Sequence, residues 1–278
     1  MLVIKTPGEM QGWAQEQRRA GLRVGLVPTM GYLHAGHLSL VAEARRRCDA
    51  VAVSIFVNPV QFGPNEDFEK YPRDEARDLE LCRGAGVAAV FLPAPAAMYA
   101  PDASVFVVEE RLERGLCGAR RPGHFRGVCT VVAKLFNLAL PDVAVFGQKD
   151  FQQAAIICRM VRDLNFPVEV VVAPILREPD GLAMSSRNVY LSGDERQRAL
   201  GLSRALAGAA EAVAAGPSPA DAVRLRMAEV LERHALRVDY AEVVSAETLE
   251  PVAQASRGDV ALVAAYCGKT RLIDNRVL

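Results

Sequence analysis

The sequence predicts an α/β protein in which a doubly wound parallel sheet precedes a smaller C-terminal α+β domain. Short apolar runs alternate with amphipathic stretches over the first two thirds of the chain, a pattern typical of strands that alternate with helices. The apolar runs are continuous, as in strands that are covered on both faces. After about residue 176 the pattern changes to Ala- and Leu-rich helices followed by short strands. We therefore predict a Rossmann-like domain over 1–175 and a small α+β domain over 176–278.

The larger domain is predicted to contain five strands and four helices. The strands are expected at 23–29, 50–57, 87–92, 142–146 and 168–172. The helices are expected near 36–48, 74–85, 125–140 and 150–165. Ligands of such sheets bind beyond the carboxyl ends of the strands, so the residues that follow each strand are candidates for a functional site. Two helices and three strands are predicted in the smaller domain, near 192–215, 219–235, 238–244, 259–266 and 270–277.

Length and composition limit the possible classes of function. The 278 residues suffice for about two domains, and 33 basic residues balance 33 acidic ones. This neutral charge disfavours a dedicated nucleic-acid-binding protein. The chain has no apolar run of membrane-spanning length and no signal-peptide pattern at its start. Six cysteines without a Cys-x-x-Cys pair favour reduced core thiols, so we expect a cytoplasmic protein without nucleic-acid or membrane partners.

The first motif after a predicted strand combines two histidines with two glycines. It opens a predicted helix and reads Met30-Gly31-Tyr32-Leu33-His34-Ala35-Gly36-His37. Glycines let a ligand approach the backbone, and a helix start offers free N–H groups to an anion. Two imidazoles at this point can donate hydrogen bonds to phosphate oxygens. The alternatives are a zinc-binding histidine pair and a purely structural role.

Two polar loops offer arginines to an anion. Gly181–Asn188 lies between the last predicted strand of the sheet and the small domain. Within it, Arg187 can bind phosphate through two hydrogen bonds, and the hydroxyls of Ser185 and Ser186 can donate to its oxygens. The alternative is a polar hinge loop with a serine that caps a helix. The basic loop over 120–127 is available for an anion or a dimer contact, with a solvated surface as the alternative.

Two further loops place polar side chains directly after predicted strands. In Gly147–Gln153, Lys149 suits the β- and γ-phosphates of a nucleotide. Asp150 can accept hydrogen bonds from ribose hydroxyls, although a helix cap explains it equally well. After another strand, Asn58 and Gln61 are neutral amides that can bind a carboxylate or a hydroxyl group, with turn chemistry as the alternative.

The motifs together resemble a known enzyme family. The motif that contains His34 and His37 resembles the His-x-Gly-His signature of a nucleotidyltransferase superfamily that includes the class I aminoacyl-tRNA synthetases. Met184–Arg187 resembles the Lys-Met-Ser-Lys-Ser element of that superfamily, with two lysines absent and Arg187 as the available cation. Essentially the whole chain resembles the pantothenate synthetase (pantoate–β-alanine ligase) family. The matching segments, in order, are 28–37, 54–59, 61–62, 70–73, 146–147, 149–150 and 180–188.

The resemblance implies an ATP-dependent, magnesium-assisted ligase that makes a precursor of coenzyme A. The carboxylate of (R)-pantoate would attack the α-phosphorus of ATP to give pantoyl adenylate and pyrophosphate. The amine of β-alanine would then displace AMP and form pantothenate. The resemblance also implies a homodimer and a C-terminal domain that closes over the site. Mg²⁺ would travel with ATP rather than on protein side chains.

The resemblance also assigns roles to individual residues. The catalytic residues would be His37 as acid or donor, His34, Lys149 and Arg187. ATP would contact Met30, Gly31, Tyr32, Leu33, His34, Ala35, Gly36, His37, Gly147, Gln148, Lys149, Asp150, Leu176 through its backbone, Met184, Ser185, Ser186 and Arg187. Pantoate would bind Gln61 and Gln153, and β-alanine would bind Gln61 and Asn58. Family members usually carry Glu where this chain has Gln148, so the resemblance assigns no role to that side chain.

Three alternative functions differ in what they require of the sequence. Another nucleotidyltransferase would bind a second nucleotide or another acid, whereas Asn58, Gln61 and Gln153 suit a small hydroxy acid. A regulatory nucleotide-binding module would need fewer donors than the two histidines, Lys149 and Arg187 supply together. A tRNA-charging enzyme would need a basic anticodon-binding region, and the residues after 176 carry no concentrated basic surface.

Overall fold

A six-stranded sheet in which every strand runs parallel to its neighbours forms the centre of the structure, a computed structural model that describes residues 1–64 and 66–278. Its strands are β1 (Leu2–Ile4), β2 (Val24–Thr29), β3 (Ala50–Ile55), β4 (Ala89–Phe91), β5 (Val143–Gly147) and β6 (Glu169–Ala173). Their order across the sheet is β1-β4-β3-β2-β5-β6. The chain therefore builds one side of the sheet from β2 through β3 and β4, and then returns to add β5 and β6 on the other side. The two halves diverge at the carboxyl ends of β2 and β5, where doubly wound sheets bind their ligands.

Helices cover both faces of this sheet. They are α1 (Pro7–Arg19), α2 (Ala35–Arg47), α3 (Glu75–Gly84), α4 (Pro95–Met98), α5 (Leu116–Arg120), α6 (His124–Ala139) and α7 (Phe151–Asp163). On one face, α2 and α3 bury apolar residues against strand residues such as Val27 and Val53. On the other face, α1, α6 and α7 contribute a second apolar cluster that includes Trp13, Phe125 and Ile156. Burial on both faces explains why most strand sequences are continuously apolar.

The C-terminal part combines three helices with an antiparallel sheet. The helices are α8 (Gly193–Ala199), α9 (Gly201–Val213) and α10 (Ala220–Arg233). The strands are β7 (Ser218–Pro219), β8 (Arg237–Val244), β9 (Gln254–Ala255), β10 (Val260–Cys267) and β11 (Thr270–Val277). β8, β10 and β11 form a three-stranded sheet, and β7 pairs with β9. From β11, the Asn275 amide donates to the backbone oxygens of Gln148 and Lys149, at 2.9 and 2.8 Å, which joins this sheet to the loop after β5.

The predicted fold class is confirmed, but two elements at the N-terminus were not predicted. These are the edge strand β1 and the helix α1. The start of α1 nevertheless carries a clear helix-start signal in its sequence. The Thr6 hydroxyl accepts from the Glu9 N–H at 3.3 Å, the Glu9 carboxylate accepts from the Thr6 N–H at 3.0 Å, and Pro7 occupies the first helical turn. Thr-Pro-x-Glu is therefore a capping box with proline at its preferred place.

Two predicted elements differ in detail from the structure. The helix predicted over 192–215 is divided at Leu200 into α8 and α9. The division lies beside Gly201, where a Cβ atom would lie 2.8 Å from His234, so only glycine permits this close approach. The strand predicted over 168–172 is β6, which lies at the edge of the sheet. Val172 is 40% exposed there, so the expectation of burial on both faces was wrong for this strand.

All six cysteines are free thiols, and four of them are buried, namely Cys82, Cys117, Cys129 and Cys267. This agrees with the prediction of core thiols, although Cys158 is exposed on α7. Among the described residues, the helices are too short or too polar to cross a membrane.

Candidate functional site

A cavity of about 210 Å³, here called the inner cavity, opens at the carboxyl ends of β2, β3 and β5. Most of the predicted site residues line it, namely Met30, His34, Gly36, His37, Asn58, Gln61, Gly147, Lys149, Asp150, Gln153, Leu176, Met184, Ser185, Ser186 and Arg187. The predicted residues that do not line it are Gly31, Tyr32, Leu33, Ala35 and Gln148. A larger outer cavity of about 1020 Å³ adjoins it and shares Lys149, Asp150, Gln153, Ser185 and Arg187.

The two histidines of the first motif are oriented by the start of α2. The Nδ1 atom of His34 accepts a hydrogen bond from the Gly36 N–H at 3.1 Å, and Nδ1 of His37 accepts from the His34 N–H at 3.3 Å. The two rings lie 4.1 Å apart between centroids. Since both Nδ1 atoms accept, each neutral ring carries its proton on Nε2, on the opposite side of the ring. The sequence therefore places two Nε2–H donors side by side at the cavity.

Electrostatics keep both imidazoles neutral. Burial lowers the pKa of His34 to about 4, and the positive charge of Lys149 acts in the same direction. Burial lowers the pKa of His37 to about 3, with further contributions from His34 and Lys149. At neutral pH both rings can therefore donate hydrogen bonds without carrying a charge. Within the described residues, no group of three or more His, Cys, Asp or Glu side chains is arranged to hold a metal ion.

An internal carboxylate holds the turn that leads into this helix. Gly31 and Tyr32 both adopt positive φ angles, 83° and 49°. The backbone N–H groups of Tyr32 and Leu33 donate to the two oxygens of Asp78, each at 2.7 Å. Asp78 belongs to α3 and is 1% exposed, and burial raises its pKa. Successive N–H groups in such a turn form an anion-binding concavity, and here Asp78 occupies it. Asp78 lies in none of the sequence motifs and was not predicted as a site residue.

The amides after β3 form a connected network. Asn58 donates from Nδ2 to Oε1 of Gln61 and to the backbone oxygen of Gly127, both at 3.1 Å. Its Oδ1 accepts from the Tyr99 hydroxyl at 2.9 Å, and burial raises the pKa of that hydroxyl to about 12, so it stays protonated. Gln61 places Nε2 at 3.2 Å from the sulfur of Met30. Both Nδ2 hydrogens of Asn58 are thus engaged, and one of them orients the amide of Gln61.

Part of the lining of the inner cavity is an apolar wall. It consists of one face of α6, with Val128, Val131, Val132 and Leu135 directed at the inner cavity. Phe56 and Phe146 complete this wall from the ends of β3 and β5. The spacing of the α6 residues predicted an apolar helix face, but it did not indicate that part of this face borders a ligand cavity.

The loop after β5 presents Lys149 and Asp150 to both cavities. Their side chains lie 3.7 Å apart between Nζ and Oδ2. Asp150 immediately precedes α7, but its side chain makes no capping hydrogen bond. The capping explanation of Asp150 is therefore not what the structure shows. The Gln148 amide points away from the inner cavity toward Asn275, at 3.4 Å.

The second motif docks onto the first. The Ser186 hydroxyl donates to the backbone oxygen of Tyr32 at 3.1 Å, and the Ser185 hydroxyl accepts from the Arg187 N–H at 3.3 Å. The Arg187 guanidinium donates to both oxygens of Asp67 at 2.8 Å. It also lies 5.4 Å from the ring centre of Tyr71, a buried residue that lines the inner cavity. The two serines thus fix the conformation of the loop. Its cation, Arg187, is held by Asp67, which was not predicted as a site residue.

Comparison with known proteins gives the family. The family model for pantoate-beta-alanine ligase matches residues 2–277. The chain belongs to the pantoate–β-alanine ligase family. Two relatives named pantothenate synthetase illustrate the similarity within this family. The one from Anaeromyxobacter dehalogenans is 58% identical over 280 residues, covering 98% of this chain and 97% of the relative. The one from Thermotoga petrophila is 53% identical over 279 residues and matches 100% of both chains.

Solved structures of the pantoate–β-alanine ligase family have the same fold. The pantothenate synthetase of Thermus thermophilus superposes with a TM-score of 0.92 at 46% identity, over 100% of this chain and 99% of that one. The ligase of Francisella tularensis, described as complexed with beta-gamma ATP and beta-alanine, gives a TM-score of 0.82 at 28% identity, over 100% and 97% of the two chains. These matches confirm the predicted family, the fold class and an ATP-dependent ligase of pantoate and β-alanine.

Proposed function

We propose that the inner cavity carries out both steps of the ligation, and that the neutral imidazoles of His34 and His37 stabilise the first. The single observation that supports this most strongly is the pair of Nε2–H donors held by backbone N–H groups beside Lys149. Donors held in this way are already oriented toward charge that develops on phosphate oxygens, so they lower the barrier without reorganising.

In the first step, a carboxylate oxygen of pantoate forms a bond to the α-phosphorus of ATP as the bond to pyrophosphate breaks. His37 donates a hydrogen bond to the α-phosphate, and His34 assists at the neighbouring oxygens. Because the pKa of His37 is about 3, it acts as a hydrogen-bond donor in this proposal rather than as a source of a proton. Lys149 and Arg187 bind the β- and γ-phosphates and stabilise the departing pyrophosphate.

Pantoate contacts both the apolar wall and the amides. Its two methyl groups pack against the α6 face at Val131 and Val132, which excludes water from the reacting carboxylate. Its polar groups bind the amides of Gln61 and Gln153. Among the described residues the Gln153 side chain has no hydrogen-bond partner, so its full capacity serves the substrate. An apolar wall together with neutral amides suits a branched hydroxy acid better than a second nucleotide.

ATP binds as its magnesium complex across the first and second motifs. Asp150 accepts from the ribose, the backbone of Leu176 contacts adenine, and Met184–Arg187 covers the phosphates. Mg²⁺ would travel with the nucleotide, because Asp150 is the one carboxylate among the described lining residues of the inner cavity and is assigned to the ribose. The other predicted ATP contacts support the turn and the loop through their backbone, namely Gly31, Tyr32, Leu33, Ala35 and Gln148.

In the second step, the amine of β-alanine attacks the acyl carbon of pantoyl adenylate. A C–N bond forms, the bond between the acyl carbon and the bridging oxygen breaks, and AMP leaves with that oxygen as the amine loses a proton. Gln61 contacts β-alanine, and Asn58 contributes through its hydrogen bond to Gln61. We further propose domains over 1–175 and 176–278, with the second closing over the site, a homodimer and a cytoplasmic location.

An isotope experiment tests the adenylate route. Pantoate labelled with ¹⁸O in its carboxylate is converted with ATP and β-alanine, and the products are analysed by mass spectrometry. We expect one ¹⁸O atom in the phosphate of AMP and the other in the amide oxygen of pantothenate. Label that appears in pyrophosphate or inorganic phosphate, or that is missing from AMP, would contradict pantoyl adenylate as the intermediate.

A further inference from the structure

His124, the first residue of α6, makes two directed contacts that the proposed reaction does not use. Its Nε2 atom lies 2.9 Å from Nη1 of Arg121, and its Nδ1 atom lies 2.9 Å from the backbone oxygen of Gln61. A guanidinium can only donate, so Nε2 must accept and the ring proton must lie on Nδ1. The Nδ1–H group therefore donates to the carbonyl of Gln61. The ring is 8% exposed and does not line the inner cavity.

Arg121 is itself held from the loop that follows Gln61. Its Nε and Nη2 atoms donate to the two oxygens of Glu66, at 2.6 and 2.7 Å. Two-point pairs of this kind fix the plane of the guanidinium, which here directs Nη1 at the histidine. The contacts thus run from Glu66 through Arg121 and His124 back to Gln61. They tie two points of one loop to the start of α6.

The backbone of Gln61 also lies unusually close to α6. A Cβ atom at Gly127 would lie 2.6 Å from Cα of Gln61, so the helix can approach only because this residue is glycine. One turn before, His124 provides the hydrogen bond that defines the position of the same backbone. The side chain of Gln61 is oriented separately by Asn58. The main chain of Gln61 is therefore positioned by contacts with α6, whereas its side chain is oriented by Asn58.

We propose that His124 is a positioning residue of the ligation, which sets the backbone of Gln61 so that its amide meets pantoate. This inference rests on the proposed function, because it needs Gln61 to be a substrate contact. His124 acts through Gln61 and does not touch the reacting atoms. Burial and the neighbouring Arg121 lower its pKa to about 4, so the ring keeps its single Nδ1 proton at neutral pH. Removing that donor should weaken pantoate binding while leaving ATP binding largely intact.

Two substitutions separate the two contacts of the ring. In His124→Asn, the amide nitrogen occupies the place of Nδ1 and keeps the donor to Gln61, but the contact with Arg121 is lost. In His124→Gln, the longer amide reaches the place of Nε2 and can accept from Arg121, but the donor to Gln61 is lost. Measured by steady-state kinetics, His124→Gln should raise the KM for pantoate about tenfold. His124→Asn should stay near the wild-type value, and neither variant should change the KM for ATP more than about twofold.

His234 provides a matched control. Its Nδ1 atom lies 2.8 Å from the backbone oxygen of Val230, and its Nε2 atom lies 2.7 Å from Nη1 of Arg204, so it repeats the same chemistry outside the lining of both cavities. His234→Gln should leave both KM values unchanged. Thermal unfolding of each variant verifies that it is folded.

The outcomes distinguish this inference from the proposed function. If wild-type protein shows no pantoate-dependent turnover, both are overturned. If the wild type is active but His124→Gln keeps the wild-type KM for pantoate, only the role of His124 is overturned. The same holds if the KM for ATP rises as much as that for pantoate, or if His124→Asn is as impaired as His124→Gln.

Discussion

Arg187 and Asp67 form a two-point ion pair, with Nε and Nη2 each donating to a carboxylate oxygen at 2.8 Å. Both side chains are 27% exposed, so the pair borders the site without being sealed from water. Charged hydrogen bonds of this geometry are among the stronger ones in proteins. The arginine predicted to bind the phosphates of ATP is therefore engaged by an internal anion before ATP arrives.

Substitution of Asp67 tests whether this carboxylate competes with the phosphates of ATP for Arg187. Asp67→Asn removes the negative charge, so the triphosphate no longer displaces a carboxylate from Arg187, and we expect the KM for ATP to fall about fivefold. Glu69→Gln is the matched control, because the Glu69 carboxylate makes no ion pair within the described part of the chain. Initial rates measured at varied ATP concentrations give the KM for ATP of each variant. An unchanged or higher KM for Asp67→Asn would show that the pair does not compete with ATP.

The turn before α2 should depend on Asp78. Asp78→Asn presents an amide NH₂ group to one of two buried N–H donors, and we expect unfolding free energy to fall by about 2 kcal/mol. Adenylate formation should fall as well, since the turn orients His34. Asp74→Asn is the control, because Asp74 caps the start of α3 and asparagine caps helices equally well. Urea unfolding gives the free energy of unfolding of both variants. Equal stability of the two would refute the role of Asp78.

His37 should be needed for chemistry and not for folding. His37→Ala removes one oriented donor, and we expect adenylate formation to slow about 100-fold or more. His37→Gln can place an amide N–H near the position of Nε2, so it should recover part of the lost rate. Single-turnover measurements of pyrophosphate release give these rates, and circular dichroism verifies the fold. Unchanged turnover in His37→Ala would remove His37 from the mechanism.

Buried neutral histidines should make stability depend on pH. An unfolded imidazole binds its proton near pH 6.5, whereas His124 in the folded chain does so only near pH 4. Between these values the unfolded state holds more protons, so stability falls as the pH falls. At about pH 5 the shifted pKa of His124 lowers the free energy of unfolding by about 2 kcal/mol relative to neutral pH. His34 and His37 act in the same direction.

The His124→Asn variant isolates this contribution. Urea unfolding at about pH 7.5 and about pH 5 should show that the wild type loses about 2 kcal/mol more than His124→Asn does. The asparagine variant starts from a lower stability because it lacks the contact with Arg121. Its dependence on pH should nevertheless be flatter. Identical losses in the two proteins would mean that His124 titrates normally in the folded state.

The position of the site could be predicted because its main motifs are local in sequence. Met30–His37 follows a strand and starts a helix, so strand order and helix geometry alone place its imidazoles at the carboxyl edge of the sheet. Lys149 could be placed for the same reason. The backbone N–H groups that orient both histidines lie within three residues of them, so this arrangement is a local property of the motif.

The residues that hold the site in place could not be predicted in the same way. Asp67 meets Arg187 across 120 positions of sequence, and Asp78 meets Tyr32 across 46. Nothing near either carboxylate distinguishes it from an acidic side chain on a solvated surface. His124 appeared only as part of a basic loop, because its contact with Gln61 depends on how closely α6 approaches the sheet. Such contacts follow from the packing of whole elements and not from local pattern.

Pyrophosphate exchange tests adenylate formation at the inner cavity most directly. The protein is incubated with ATP, Mg²⁺, labelled pyrophosphate and pantoate, in the absence of β-alanine, and label in ATP is measured. We predict exchange that requires pantoate and is nearly abolished in His37→Ala. Exchange that proceeds without pantoate, or no exchange in a folded wild-type protein, would contradict activation of pantoate as its adenylate.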